Sequence, residues 1–514
     1  MTMTDVAPEE ARQLSEPVIR TTGGRVRGQR EHGLAVFRGI PFAQPPVGPA
    51  RFAAPRPVTG WDGIRDALSY GPPVPQETSF AGRTGSLPTP TSDDWLTLNV
   101  WTADPEARRP VLVWIYGGAY KLGFSGSPGH DLHRIARDGD VVVVSFNYRV
   151  GVEGFAHIDG APANRGLLDQ VAALEWVREN IAAFGGDPDL VTVCGESAGA
   201  GSIAALLAVP RASGLFHRAI LQSMPGVYLS DALAADIGAA IAGEIGLRPT
   251  VADLSGVDPW QLPAAGTAVS SAMIDHVDRW GSLAHSITLF APVVDGAVMT
   301  RSPWQALTEG AGRDVELIIG HNRDECRLFI ALSGQLGTVD NDLAARTLRA
   351  FAPAPDGENA YRTAYPDANP DRLFELVQND WLFRMPALHL AEAQVAGGGR
   401  AHMYELTWRT PGYNGVLGAC HGVDGPLLRG TFGDQLGPML LGTQPPDTVA
   451  TLATRIRTTW GRFAATGEPG WPTYDPERRL VQIIDDDWPV LPYPEETSRR
   501  LWQQHVFDAL PLHD

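Results

Sequence analysis

A strand, turn and helix pattern over residues 190–207 places the tightest constraint on how this chain folds. An apolar, β-prone run at residues 190–194 leads to Ser197, and a segment of small, helix-forming residues follows it. Gly195 and Gly199 stand on either side of the serine. A sharp turn between a strand and a helix strains the backbone of its central residue, and flanking glycines make room for that turn. The pattern predicts a serine whose hydroxyl projects from the end of a strand as a nucleophile.

Apolar strand-like runs alternate with helical segments along the chain, which predicts a mostly parallel sheet with helices on both faces. The clearest helix is expected over residues 167–184, where apolar residues recur at helical spacing before two glycines. In such sheets, sites open at the carboxyl ends of strands, which is where Ser197 is expected. Strands are predicted at 96–101, 111–116, 141–145, 190–194, 219–222, 315–319, 403–406 and 480–484, and a last helix at 496–507.

The chain has 514 residues, and no segment has the composition of a linker. We therefore expect a single domain over residues 18–514. Residues 232–286 and 343–395 look helical and are expected to form cap-like insertions over the sheet. Residues 1–17 have no apolar core of the length that a signal peptide requires, and we expect them to be disordered.

The composition is that of a globular protein, with 44% hydrophobic and 19% charged residues. A formal net charge of −18 disfavours binding to nucleic acid or to anionic membranes. No apolar run approaches the roughly 18 residues of a membrane span. The three cysteines are odd in number and lack zinc-type spacing, which fits a reducing compartment. These features predict a cytoplasmic protein that acts on a small molecule, with no nucleic-acid or membrane partner.

A glycine-rich loop follows the strand predicted at 111–116, well before the serine in the chain. Small residues let backbone amides approach a substrate oxygen closely, as an oxyanion hole requires. We expect the amides of Gly118 and Ala119, supported by Gly117, to act with that of Ala198 directly after the serine. An ordinary tight turn is the alternative interpretation.

A serine nucleophile needs a histidine base and a carboxylate that orients it, and the expected order along the chain is serine, acid, histidine. The segment after the strand at 315–319 carries two adjacent acids, Asp324 and Glu325, and composition alone does not choose between them. His421 lies among small residues after a further strand, but spacing leaves His389 and His402 as rivals.

The chain resembles the type-B carboxylesterases, the group that includes bacterial p-nitrobenzyl esterases and the cholinesterases. The likeness extends from about Arg20 to about Trp488, and the motifs occur in the family's order. They are FRGIPFAQPPVG at 37–48, DDWLTLNVW at 93–101, NYRVG at 147–151, GLLDQ at 166–170, FGGDP at 184–188 and GESAG at 195–199.

The resemblance implies an α/β-hydrolase fold and assigns the catalytic residues. Matched residue by residue, the nucleophile falls on Ser197, the acid on Glu325 rather than Asp324, and the base on His421. The oxyanion donors fall on Gly118, Ala119 and Ala198. Ser223 matches a position that supports the triad histidine in the family, although Met224 replaces the glycine that usually follows it.

Several positions depart from the family pattern. Tyr116 and Ala119 stand where the family often has a histidine and a third glycine. Trp95 replaces a disulfide cysteine of secreted relatives, which agrees with a cytoplasmic location. The loop at 77–94 holds Phe80 as its one aromatic residue, and Leu328 stands where some cholinesterases carry another, so choline esters are not expected as substrates.

All three cysteines adjoin the predicted site in sequence: Cys194, Cys326 and Cys420. We interpret them as small residues that fill tight space beneath the triad, with a redox-sensitive site as the alternative. Apolar walls of the substrate pocket are expected from Phe329, Trp381, Phe383 and Met385, although ordinary core positions explain these residues equally well.

These residues predict a serine carboxylesterase that hydrolyses esters of small, hydrophobic substrates through an acyl-enzyme, without a metal or organic cofactor. One alternative is a carbamate or amide hydrolase, or an acyltransferase, with the same triad. A second is a non-catalytic, cholinesterase-like binding protein, although such proteins typically lack a triad member. The sequence does not indicate the substrate's acyl or alcohol group, or the oligomeric state.

Overall fold

The computed structural model describes residues 16–76, 79–80, 83–84, 88, 92–353, 356–433 and 436–514. The disorder predicted for residues 1–17 falls almost wholly outside this part of the chain, and so does most of the loop at 77–91 with the side chain of Phe80. Among the described residues, none of the helices is both long and apolar enough to cross a bilayer.

An eleven-stranded sheet forms the centre of the fold, in the order β18-β17-β16-β15-β12-β11-β9-β10-β8-β4-β3. The seven strands from β17 to β10 run parallel, and the outer strands on both sides pair antiparallel. The strands of this sheet are β3 (Gln29–Glu31), β4 (Leu34–Pro41), β8 (Thr97–Thr102), β9 (Arg109–Ile115), β10 (Val142–Phe146), β11 (Gly186–Glu196), β12 (Arg218–Gln222), β15 (Glu316–Asn322), β16 (Ala401–Leu406), β17 (Leu480–Ile484) and β18 (Val490–Pro492).

Three smaller sheets complete the strand content of the described residues. They consist of β1 (Val18–Arg20), β2 (Arg25–Arg27) and β5 (Ile64–Asp66), of β6 (Ser79–Phe80) with β7 (Arg83–Thr84), and of β13 (Leu229–Ser230) with β14 (Val293–Val294). The mostly parallel sheet predicted from the sequence is confirmed, and each predicted strand overlaps an observed one.

Helices form most of the connections between the parallel strands. They also make up most of the two predicted insertions, residues 232–286 and 343–395. The α-helices span His133–Asp138, Gly151–Phe155, Arg165–Asn180, Ala198–Ala208, Asp231–Glu244, Val251–Leu254, Leu262–Ser271, Val277–Trp280, Pro303–Thr308, Arg327–Leu332, Asn341–Phe351, Gly357–Ala364, Pro370–Asn379, Met385–Ala396, Asp424–Arg429, Gly437–Leu441, Asp447–Thr466 and Glu496–Trp502, and a π-helix spans Asp380–Arg384. The 3₁₀-helices span Gly48–Ala50, Pro128–His130, Ile181–Phe184, Pro210–Ala212, Met273–His276, Gly281–His285 and Gly412–Gly415.

Two predicted helix ends differ from the observed ones. The helix expected over 167–184 ends as an α-helix at Asn180 and continues as a 3₁₀ turn to Phe184, before Gly185 at a φ of 79°. The last helix ends at Trp502 rather than near residue 507. Beyond Trp502 the chain returns so that the Phe507 ring stacks on the indole, at 5.6 Å between ring centroids, and a helix would not allow this contact.

Charged residues, among them Arg149 and Asp169 of the sequence motifs, form buried ion pairs that hold the connections to the sheet. Arg149 has no exposed side-chain surface and donates to both carboxylate oxygens of Asp169, at 2.8 and 2.7 Å. Arg51 donates through two nitrogens to a single carboxylate oxygen of Glu153, at 3.1 and 2.6 Å in the interior. A buried charge is tolerated where a partner and hydrogen bonds satisfy it, so these ion pairs support the scaffold of the site.

Candidate active site

Ser197 lies at the turn between β11 and the helix Ala198–Ala208, in the strained conformation that the sequence predicts. Its φ is 57° and its ψ −127°, a combination that costs free energy for a residue with a side chain. A Cβ on Gly195 would lie 2.7 Å from the carbonyl carbon of Gly199, and one on Gly199 would collide with the carbonyl oxygen of Ile115. Both glycines are therefore required by close packing around the turn.

The structure brings Ser197, His421 and Glu325 into one hydrogen-bonded chain. Nε2 of His421 lies 2.9 Å from Oγ of Ser197, and its Nδ1 lies 2.7 Å from Oε2 of Glu325. The second carboxylate oxygen of Glu325 accepts from the backbone amide of Asn322 at 2.7 Å, which fixes the carboxylate at the end of β15. This arrangement can transfer a proton from the serine to the histidine while the carboxylate orients the ring.

Asp324, the neighbouring acid that composition could not exclude, points away from His421. Its carboxylate accepts from the backbone amide of Ala419 at 3.0 Å and from Arg327 at 3.0 Å. Two backbone hydrogen bonds, from Asp324 to Ala419 at 2.9 Å and from His421 to Glu325 at 3.0 Å, tie the acid and base loops together. Asp324 thus positions the loop that carries His421.

The rival histidines lie in other surroundings. The ring of His389 packs against Phe507 at 5.1 Å between centroids, and Nδ1 of His402 lies 3.1 Å from the carbonyl oxygen of Trp471. Burial lowers the pKa of both histidines. His402 is a core residue, and His389 is partly buried.

The predicted oxyanion loop lies directly against the serine. A Cβ on Gly117 would lie 3.0 Å from the Cβ of Ser197, so glycine is needed at this contact. Gly118 and Ala119 adopt positive φ values of 111° and 55°, and the amide of Ala198 opens a helix, where it has no intrahelical partner. Ala119 and Ala198 line a cavity at the serine.

Tyr116 stands where the family often has a histidine before this loop, and Tyr148 packs against it. The hydroxyl of Tyr148 donates to the carbonyl oxygen of Tyr116 at 2.7 Å, and the two rings stack at 4.6 Å between centroids. The hydroxyl of Thr288 donates to the carbonyl oxygen of Ala119 at 2.9 Å. These bonds fix the loop on both sides of its glycines.

Three carboxylates surround His421, and the sequence indicated a role for one of them. Besides Glu325, an oxygen of Glu196 lies 3.3 Å from Nε2 of the ring, and the buried Asp424 follows in the next helix. Burial disfavours the charged ring, but the hydrogen bond and charge of Glu325, with the charges of Glu196 and Asp424, raise the pKa of His421 to about 9. Burial raises the pKa of Glu196 to about 7, against the effect of His421.

Asp424 is fixed by amide side chains rather than by a cation. It accepts from Nε2 of Gln222 at 2.8 Å and from Nδ2 of Asn322 at 3.4 Å. Burial, and then the charge of Glu325, raise its pKa. Two positions in the sequence are the signals that could have identified these acids: Glu196 directly precedes Ser197, and Asp424 lies three residues after His421.

Ser223 lies at the end of β12 with a φ of 53°, and its backbone amide donates to the carbonyl oxygen of Gly320 at 2.9 Å. Its buried hydroxyl has no hydrogen-bond partner within the described residues, His421 included. The supporting role implied by the family resemblance therefore stays a prediction.

A narrow, mostly apolar cavity opens at Ser197. Of the four predicted wall residues, Phe383 lines it, and Phe329 packs beside it with ring centroids 5.0 Å from His421 and 6.3 Å from Phe383. The ring of Phe383 lies 4.6 Å from that of His421. The cavity is lined by Ala119, Tyr120, Ser197, Ala198, Pro225, Val227, Ser286, Ile287, Thr288, Phe290, Leu382 and Phe383.

Trp381 and Met385 do not line this cavity. Trp381 stacks on Phe351 at 4.4 Å between ring centroids, and Met385 is fully buried at the start of a helix.

The three cysteines are free and buried. Burial raises the thiol pKa of each of them. Their environment fits the interpretation as packing residues, because a reactive cysteine needs an accessible thiolate.

The mostly parallel sheet and the strand–turn–helix around Ser197 define the α/β-hydrolase fold. The sequence model of the carboxylesterase family matches residues 15–498. The chain belongs to the carboxylesterase family and is a carboxylic ester hydrolase.

Individual relatives agree with this membership. The chain is 35% identical to a para-nitrobenzyl esterase of Bacillus subtilis over 95% of its length and 98% of the relative's. It is also 35% identical to a phenmedipham hydrolase of Pseudarthrobacter oxydans, over 92% and 96% of the two chains. A solved structure of a Geobacillus stearothermophilus carboxylesterase has a TM-score of 0.82 at 35% identity, covering 95% of this chain and 100% of that one.

Proposed function

We propose that Ser197, Glu325 and His421 are the catalytic triad of a serine carboxylesterase that forms an acyl-enzyme. The observation that carries the proposal is the hydrogen-bonded chain from Ser197 Oγ through His421 to Glu325, at 2.9 and 2.7 Å. A serine hydroxyl is a weak nucleophile at neutral pH, and this geometry supplies both its base and the group that orients the base.

In the first step, Oγ of Ser197 attacks the ester carbonyl while Nε2 of His421 takes the hydroxyl proton. The oxyanion accepts hydrogen bonds from the amides of Gly118, Ala119 and Ala198. The tetrahedral intermediate collapses when His421 returns the proton to the departing alcohol. Water then attacks the acyl-enzyme, with His421 again as base, and releases the carboxylic acid and the free serine. These steps involve side chains, amides and water, so we propose no cofactor.

The substrate group that enters the cavity at Ser197 is proposed to be small and hydrophobic. Phe383, Phe290 and Val227 give this cavity apolar walls, and Phe383 also covers one face of His421. The relatives named para-nitrobenzyl esterase and phenmedipham hydrolase support testing p-nitrobenzyl esters and phenmedipham itself as substrates.

Ser197→Ala tests the proposal directly. Its turnover number on p-nitrophenyl acetate should fall roughly a millionfold, because the triad acts as a unit. A radiolabelled organophosphate should label the native enzyme at Ser197 and leave the variant unlabelled. Substantial esterase activity in Ser197→Ala would refute the assignment, and failure to label the native enzyme would favour a non-catalytic binding protein.

The alternative of a carbamate or amide hydrolase, or of an acyltransferase, concerns the same triad. A panel of p-nitrophenyl esters of increasing acyl length, aryl carbamates and anilides would rank the bonds cleaved. Adding alcohols or amines to the acyl-enzyme would show whether water is the preferred acceptor.

We further propose that residues 18–514 form one domain and that the protein acts in the cytoplasm, on a small molecule and without a nucleic-acid partner. One hydrophobic cluster that extends from Val26 to Phe507 supports the single domain. The three free cysteines and Trp95 in place of a cysteine support a reducing compartment. Limited proteolysis and cell fractionation test these two statements.

A further inference from the structure

Two histidines and an aspartate, from segments far apart in the chain, meet at one edge of the main sheet. His32 lies in the hairpin between β3 and β4, whereas Asp131 and His133 lie at the start of the helix His133–Asp138. Within the described residues, this is the one group of three or more such side chains whose ligand atoms lie within 4.8 Å of one another. The triad mechanism uses none of the three.

The hairpin turn fixes the position of His32. His32 and Gly33 have φ values of 52° and 79°, the positive values that a two-residue turn between antiparallel strands requires. Asparagine or aspartate is usual at the first of these positions, and histidine is uncommon there. The exposed ring of His32 stacks on that of His133, with 4.3 Å between centroids.

The side chains of Asp131 and His133 face each other at close range. Nδ1 of His133 lies 2.9 Å from Oδ2 of Asp131, yet this buried nitrogen has no hydrogen-bond partner in the described residues. The other oxygen, Oδ1, accepts from the backbone amide of His133 at 3.2 Å, which fixes the carboxylate.

Such a pair matches two ligands of one ion. Metal–nitrogen and metal–oxygen bonds of about 2.0 to 2.2 Å bring neighbouring ligand atoms to roughly 3 Å, while their lone pairs point at the ion and not at each other. In the carboxylate–imidazole pair the ring nitrogen and the oxygen lie 2.9 Å apart, which matches this spacing.

The charges around the group favour a cation. Asp131 brings a formal negative charge to the group. Arg38 is neutralised by Glu31, at 2.9 and 2.5 Å. The local set of Glu31, Asp131 and Arg38 therefore carries net negative charge.

We propose that His32, Asp131 and His133 bind a divalent first-row transition ion of the Zn²⁺ type. Two imidazoles and one carboxylate suit Zn²⁺, Co²⁺ or Ni²⁺, whereas Mg²⁺ prefers oxygen ligands. The exposed His32 ring rotates out of its stack to complete the site, and water takes the open position. The ion cross-links the β3–β4 hairpin, at the edge of the sheet, to the segment Pro128–Asp138.

The proposed metal site has a structural role and takes no part in the proposed ester hydrolysis. His130, next to Asp131, stacks on Tyr116 at 5.8 Å between centroids, and its Nδ1 lies 2.8 Å from the carbonyl oxygen of Phe124. Tyr116 precedes the oxyanion loop. The ion is thus expected to stabilise the fold around this loop, because a ligand that binds only the native state raises its stability.

Calorimetric titration of the chelator-treated, full-length protein with ZnCl₂ tests the proposal, with MgCl₂ as the control ion. We expect one equivalent of Zn²⁺ to bind and to raise the melting temperature. His32→Asn keeps a residue suited to the turn, and Asp131→Asn keeps the side-chain shape, so both variants should fold. Each should weaken Zn²⁺ binding at least about tenfold and lose the thermal shift.

His276→Asn is the matched control, because His276 packs on Trp280 away from any such ligand group in the described chain. It should bind Zn²⁺ like the native protein. Co²⁺ bound at the site should give a visible absorption band that His32→Asn abolishes. The proposal is overturned if no stoichiometric binding occurs, or if His32→Asn and Asp131→Asn bind Zn²⁺ as tightly as the native protein.

Discussion

A carboxylate oxygen of Glu196 lies 3.3 Å from Nε2 of His421, the same nitrogen that faces Ser197 at 2.9 Å. The base of the proposed triad is therefore flanked by an acid on its catalytic side as well as by Glu325 on the other. Each negative charge favours the protonated ring, so the electrostatics of the site act against the neutral form that a general base needs.

Activity should rise with pH through the neutral and mildly alkaline range. The pKa of His421 is raised to about 9 and that of Glu196 to about 7, so the neutral ring becomes more abundant as pH increases, and the two groups titrate as a pair. The apparent pKa of kcat/KM for p-nitrophenyl acetate should lie above the ordinary histidine value of about 6.5.

Glu196→Gln should lower that apparent pKa by about 1 to 3 pH units, since a nearby opposite charge is removed. Glu244→Gln, an exposed acid, is the control and should leave the profile in place. Identical profiles for the native enzyme and Glu196→Gln would show that Glu196 does not act on His421.

Glu325→Gln should reduce kcat by about ten-thousandfold, because the amide no longer holds the histidine in the required tautomer. Asp324→Asn is the matched variant, since the adjacent side chain contacts Ala419 and Arg327 instead of the base. Its kcat should stay within about tenfold of the native value. Steady-state kinetics on one ester distinguish the two, and equal losses in both variants would contradict the assignment of the acid.

Phe383→Ala should shift the preference toward longer or bulkier acyl groups, because the ring lines the cavity at Ser197. Met385→Ala is the control for lost packing: Met385 is buried but does not line the cavity. Both variants should lose about 2 to 5 kcal/mol of unfolding free energy. The ratio of kcat/KM for octanoate and acetate esters should change in Phe383→Ala alone.

Asp169→Asn should lower the unfolding free energy by about 3 to 5 kcal/mol, because it leaves the buried guanidinium of Arg149 without its charged partner. Glu175→Gln breaks an exposed pair with Arg211 and should cost about 1 kcal/mol or less. Urea denaturation measures both values. Similar losses for the two variants would mean that burial does not set the strength of these pairs.

Thiol reagents should leave the native enzyme active, because Cys194, Cys326 and Cys420 are buried and burial raises the pKa of their thiols. In denaturant all three cysteines of the chain should react. Rapid inactivation of the native enzyme by such a reagent would favour the redox-sensitive alternative.

The sequence by itself determined the elements of the sheet and the elbow, because these depend on local patterns. β-branched runs, helical spacing and the two glycines around Ser197 act over a few residues, and each predicted strand is present. The same local logic placed Gly117 in the loop beside the serine. Local patterns did not predict the end of the last helix. That helix ends at Trp502, where the chain turns back and Phe507 stacks on the indole.

Tertiary structure decided which polar groups meet. The serine and histidine are 224 residues apart in the chain, and the histidine and Glu325 are 96 apart, so no local pattern distinguishes Glu325 from Asp324 or His421 from His402. The family resemblance predicted the roles of Glu325 and His421. The fold decides the contacts: Asp324 accepts from the backbone amide of Ala419, whereas Glu325 lies against the ring of His421. Glu196 lies near His421, and His32 lies near Asp131 and His133, because distant segments of the chain pack together. The electrostatic field at such a site is the sum of charges that only the fold brings together.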